Sequence, residues 1–184
     1  MNNPPLLLFP DTTVLINFAH CTAMDLLERI VGSRGQWCAA VAAECDHQSA
    51  QEQLPEMREA HRIFGQPLRP ETPTEHLAVR VIRQDFLRPG DGPRKHLGES
   101  ESLAIISERR LHARFITDDG FVPQRARAVN VTCVTTWDLF KAAMLGGLVD
   151  VAQVHRYRRI LLHHRRVHLE HIKDPVLFEQ WLRS

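Results

Sequence analysis

The chain has 184 residues, 43% hydrophobic and 24% charged, with a formal net charge of +1. This length and composition suit one soluble domain with a sizeable core, and near-neutrality excludes a global attraction for nucleic acid, so any basic footprint must be local. The apolar run at 6–9 is too short for a membrane span or a signal-peptide core and no basic region precedes it, so a cytoplasmic protein with no membrane partner is expected.

Residues 6–9 (LLLF) predict a short buried strand with Asp11 at its C-terminal end. A helical stretch follows over 14–19, then a second helix over about 23–31, for which Thr22 and Asp25 supply the pattern of a capping box. Gly32 and Gly35 break that helix. Residues 36–38 read as a small strand leading into a helix through Val41 and Glu44. The stretch 55–93 holds six of the eleven prolines and predicts helices near 56–64 and 75–87 joined by irregular turns.

From Gly98 the pattern sharpens. A buried helix is expected to end near Arg110, followed by a strand at 114–117, a short helix at 121–128 and a strand at 130–134. Thr135 and Asp138 then cap a helix that stops at Gly146-Gly147. Strands alternating with helices imply an α/β fold, with a mostly parallel central sheet flanked by helices. Ligands of such sheets bind outside the carboxyl ends of the strands. Two domains of behaviour are expected: 1–149 as the α/β unit and 150–184 as a basic helical extension packed on it. Within 151–173, Arg156, Arg158, Arg159, Arg165, Arg166 and Lys173 face a single acid, Glu170. Asp174-Pro175 marks a further helix start.

Four acidic sites stand where elements start or stop: Asp11, Glu44, the pair Glu99 and Glu101, and the pair Asp118 and Asp119. Buried carboxylates gathered in one place repel one another and need a cation, and hard oxygen ligands suit Mg²⁺ or Mn²⁺. Residues two apart on a helix point about 200° apart, so one of Glu99 and Glu101 faces the ion. Glu101 shares a face with the apolar Ala104 and Ile105, and Glu99 lies in the first turn, where a carboxylate suits the helix N-terminus; the spacing alone leaves the choice open. Asp118 and Asp119 leave a strand in opposite directions, so one of them faces the ion as well. Cys21, Cys38, Cys45 and Cys133 show no CxxC spacing and read as buried free thiols; a zinc site from Cys38, Cys45 and His47 lacks paired ligands.

The segments LLLFPDTTVLINF, AAVAAEC, LGESESLAII, FITDDGF and VTCVTTWDLFKAAMLGGLV, in that order across residues 5–149, resemble the PIN-domain family of metal-dependent nucleases, best known as VapC-type toxins. The resemblance implies a three-layer PIN-like fold and a Mg²⁺- or Mn²⁺-dependent endoribonuclease. Asp11, Glu44, Glu101 and Asp119 would carry catalysis and hold the metal, with Thr13 at the hydroxyl position and Asp118 as a further metal residue, either an outer helper or a turn residue. In-line hydrolysis would leave a 5′-phosphate and a 3′-hydroxyl on single-stranded or loop RNA. It also implies a homodimer and, for a toxin, an antitoxin protein as partner. An RNA-maturation nuclease and a catalytically silent RNA- or protein-binding scaffold are the alternatives on the same fold. The Pro-rich middle and the basic extension depart from a compact toxin. In the extension, Arg158, Arg159, Arg165 and Arg166 are the candidate RNA-binding residues.

Overall fold

A computed structural model describes residues 4–51 and 54–184 of the chain. Strands β1 (Leu7–Pro10), β2 (Ala113–Ile116) and β3 (Thr132–Val134) form a parallel sheet in the order β1-β2-β3, with Phe9 opposite Phe115 and Phe115 opposite Cys133. Beyond β1, the Gln36 N–H donates to the Leu8 carbonyl over 3.0 Å, and Leu68 bridges to Cys38. The strand expected at 36–38 therefore amounts to isolated bridges along the β1 edge.

Alternation along the strands sends side chains to both faces. Leu8 and Ile116 enter one apolar cluster, while Phe9 and Phe115 enter the other. The first face is covered by α1 (Thr12–His20), α2 (Met24–Val31), α3 (Ala39–Gln51) and α4 (Glu59–Phe64). The second is covered by α5 (Pro73–Phe86), α6 (Leu97–Glu108) and α7 (Val122–Ala128), through Ile82, Phe86, Leu103, Ile106, Val122 and Ala126. Helix α8 (Thr136–Leu145) returns to the first face with Trp137 and Phe140. The result is an α/β protein whose parallel sheet is sandwiched between helices.

Residues 150–184 share that core. They form α9 (Val151–His163), α10 (Glu170–Lys173) and α11 (Pro175–Arg183). The Tyr157 ring stacks on Phe140 at 4.7 Å, and Phe178 meets Trp137 edge-on at 6.2 Å. Asp174 opens α11 by accepting the N–H groups of Val176 and Leu177, with Pro175 in the first turn.

Side-chain caps open α1, α5, α8, α9 and α11, and none opens α2. Thr135 and Asp138 form a capping box at α8, and Thr72 and Glu75 form one at α5. The box expected from Thr22 and Asp25 does not form. Thr22 adopts a left-handed φ of 49° to turn the chain after α1, its hydroxyl donates to the Cys21 carbonyl, and Ala23 caps α2 without a side-chain bond. Glu75 is buried and also accepts Arg109 Nε over 2.7 Å, which holds its carboxyl down at about 2. Among the described residues no helix is long and apolar enough to cross a membrane.

Candidate metal centre

The carboxyl ends of the parallel strands bring Asp11, which follows β1, and Thr117-Asp118-Asp119, which follow β2, to one edge of the sheet. Asp11 is 3% exposed and caps α1, its Oδ1 accepting the Thr12 N–H over 2.6 Å. Its Oδ2 accepts the hydroxyls of Thr13 (2.9 Å) and Thr117 (3.2 Å). These donors fix the carboxylate but bring no cation. Burial, reinforced by Glu99 and Glu44, pushes its pKa up to about 8.

Glu44 reaches the same place from α3. Its Oε2 accepts the Thr12 hydroxyl over 2.7 Å, and its Oε1 accepts the Gly98 N–H over 3.3 Å. A Cβ at Gly98 would lie 3.0 Å from Val41 Cγ2 and 3.2 Å from Glu44 Oε2, so any side chain there would push Val41 and Glu44 aside.

Helix α6 supplies Glu99, not Glu101. Glu99 lines the cavity that holds Asp11 and Glu44, and burial together with the charges of Glu44 and Asp119 raises its pKa to about 7. Glu101 does not line that cavity; it accepts the Ala40 N–H over 3.0 Å, serving the first turn of α3. The expectation that Glu101 faces the ion is corrected on this geometry. It came with the PIN-domain resemblance, and the face shared with Ala104 and Ile105 could not support it, because α6 is buried on most of its circumference: Gly98, Ser100, Ser102 and Leu103 through Ile106 are all buried. Its apolar neighbours therefore do not single out the direction of the site.

Asp119 joins Glu99 and His96 so that one ligand atom of each lies within 4.8 Å of the others. His96 is held by stacking on Phe86 at 5.2 Å, with its Nδ1 3.2 Å from Glu99 Oε1; burial lowers its pKa. Asp118 is corrected from metal ligand to structural anchor. Its Oδ1 accepts the Thr136 N–H (2.9 Å), and its Oδ2 accepts the Thr136 hydroxyl (2.5 Å) and the Asn17 amide (2.6 Å). Burial raises its pKa against these bonds.

The carboxylates of Asp11, Glu44 and Glu99 line a cavity of about 700 Å³, and Asp119 lines a second of about 480 Å³; Thr13 and Arg166 border both. Among the described residues no Lys or Arg forms an ion pair with any of these four acids. Arg94, Lys95 and Arg166 line the larger cavity without forming such a pair, and carboxylate oxygens with one imidazole nitrogen are a donor set that fits a hard divalent ion. The thiols do not offer a rival site. Cys38 lies against the Gly98 carbonyl and the Ser102 hydroxyl, Cys45 against the Met57 carbonyl, and burial pushes both thiols up, Cys45 to about 12.

The sequence reading missed Thr12, Thr117, Asn17 and His96. Of these only Thr12 carried a signal, as the first of two hydroxyls after Asp11. Among the candidate RNA-binding residues, Arg159 and Arg165 are exposed at α9 and just past its end. Arg158 is corrected to a structural role: it donates to the Ile172 (2.6 Å) and Lys173 (2.5 Å) carbonyls and lies over the Phe178 ring. Arg166 alone of the four reaches the carboxylate groove. Compared with protein-family models, curated proteins and solved structures, the chain matches none.

Proposed function

We propose that the protein is a PIN-type, divalent-metal-dependent ribonuclease whose metal is held by Asp11, Glu44, Glu99 and Asp119. The observation that carries this reading is the convergence, on one edge of a parallel sheet, of four acids from four chain segments with no protein cation paired to them. The order of five PIN-like sequence segments supports it independently.

A Mg²⁺ or Mn²⁺ ion bound there would lower the pKa of a water and offset charge developing on the phosphate. The chain's own residues do the positioning. Thr12, Thr13 and Thr117 hold Asp11 and Glu44 before any ligand arrives, so little reorganisation accompanies binding. His96, stacked on Phe86, fixes the side of the site next to Glu99. Water adds to phosphorus and the bond to the 3′ oxygen breaks, leaving a 5′-phosphate and a 3′-hydroxyl. The open groove favours single-stranded RNA, whose backbone can lie across it.

The test is cleavage of an end-labelled single-stranded oligoribonucleotide. Wild type is expected to cut with Mg²⁺ or Mn²⁺ and to stop in EDTA, while folded Asp11→Asn is inactive. Undiminished cleavage in EDTA, or wild-type rates from Asp11→Asn, would overturn the proposal.

A further inference from the structure

The geometry points to Arg166 as the phosphate-binding residue of the groove, taking one backbone phosphate of a single strand; this deepens the nuclease reading and rests on it. Arg166 follows α9 and is carried back toward α1, where its Nε donates to Asn17 Oδ1 over 2.9 Å and its Nη2 to the Thr13 carbonyl over 3.4 Å. Both acceptors are neutral. Although acids surround the groove, Arg166 forms no ion pair among the described residues. Its charge favours the ionised form of Asp118 from behind Asn17, but with only neutral acceptors in direct contact the guanidinium can still take an anion.

Its orientation is set two residues deep. Asn17 is 1% exposed, and its Nδ2 donates to Asp118 Oδ2 over 2.6 Å. Asp118 is an acceptor at that position, so the amide nitrogen must face it and the amide oxygen must face Arg166. Asp118 is itself locked by the Thr136 N–H and hydroxyl. The chain Thr136–Asp118–Asn17–Arg166 thus aims the guanidinium, and Asn17 and Asp118 are positioning residues. Nη1 has no acceptor among the described residues, and Arg166 lines both cavities. A planar fork with free donors beside a metal site matches the two oxygens of a phosphodiester.

A purely structural role, tying the extension to α1, makes a different prediction, and Arg158 supplies the control because it braces the same extension without facing the groove. Affinity for a fluorescent single-stranded oligoribonucleotide is measured across a salt series in the cleavage-disabled Asp11→Asn background, and cleavage and Mn²⁺ affinity in the otherwise wild-type chain. Arg166→Ala is expected to lower kcat/KM about 100-fold and to flatten the slope of log K against log salt by about 0.7. Mn²⁺ affinity should hold, millimolar guanidinium should restore part of the rate, and Arg166→Lys should retain the salt slope. Arg158→Ala should lower the melting temperature and leave the salt slope alone. An Arg166→Ala protein with an unchanged salt slope, or a rate loss that guanidinium does not rescue and Arg158→Ala reproduces, overturns the assignment. If wild type binds the strand but never cuts it, the nuclease reading falls while the affinity series still decides on Arg166. If it does not bind the strand, both fall.

Discussion

The Thr12 hydroxyl donates to Glu44 Oε2 over 2.7 Å, joining the first residue of α1 to the middle of α3 across the mouth of the acidic cavity. The neighbouring Thr13 hydroxyl does the same for Asp11. Two adjacent threonines therefore hold two different carboxylates. Thr12→Val keeps the shape and removes one donor. It is expected to fold with a stability change of about 1 kcal/mol and to bind Mn²⁺ some 10-fold more weakly, in the range set by partners of metal ligands. Titration calorimetry checks this; unchanged affinity would show that Glu44 needs no holding.

Glu99 and Glu101 should separate cleanly. Glu99→Gln is expected to lose most metal affinity and all cleavage. Glu101→Gln keeps an acceptor for the Ala40 N–H and should lose about 1 kcal/mol or less while binding Mn²⁺ as wild type does. Equal metal affinities in the two variants would mean that α6 presents the other face to the ion.

The metal-free protein should lose stability as pH rises. Folding raises the Asp11 carboxyl from its ordinary 3.8 to about 8 and that of Glu99 from 4.5 to about 7. The folded state then binds more protons than the unfolded chain between about pH 4 and pH 8, so stability falls through that window. In EDTA the melting temperature is expected to drop by several degrees between pH 5 and pH 8 beyond any drop in Asp11→Asn. Mn²⁺ should remove the difference, since it binds the ionised carboxylates of the folded state. A melting temperature that rises over this range in EDTA, by calorimetry, would contradict it.

Glu75 has the opposite sign. Arg109, the first of its causes, lowers its carboxyl from 4.5 to about 2, so its contribution is full above pH 4.5 and is lost as pH falls toward 2. Glu75→Gln should cost about 1.5–3 kcal/mol at pH 7, the scale of hydrogen bonds to a charged group. The gap between wild type and variant should narrow below pH 4.5. Urea unfolding at pH 7 and pH 3 measures both, and a constant gap would count against the pair.

Most elements could be read from the chain because their signals are local. The LLLF run, the Thr135–Asp138 box and the Asp174-Pro175 start each specify an element within a few residues, and each element is present within a residue or two of its expected place. The direction of Glu99 and Glu101 was not legible, because it depends on α3 placing an orphan N–H opposite Glu101. Asp118 was misread for a similar reason: Asn17 and Thr136, which satisfy it, lie 101 and 18 residues away. Arg166 looked like one of six cations until the turn after α9 gave it a destination.

The Phe140–Tyr157 stack and the Arg166–Asn17 bond have a consequence in time. During synthesis the chain leaves the ribosome from its N-terminus, and domains close as their segments emerge. Asp11, Glu44, Glu99 and Asp119 are all out before Tyr157, Arg166 and Phe178 follow. A nascent chain stopped near residue 149 would carry an acidic pocket with Trp137 and Phe140 uncovered and without Arg166 against Asn17. The acidic side of the groove is therefore complete in the chain before Arg166 is made, and the guanidinium is added to a pocket whose carboxylates are already in place.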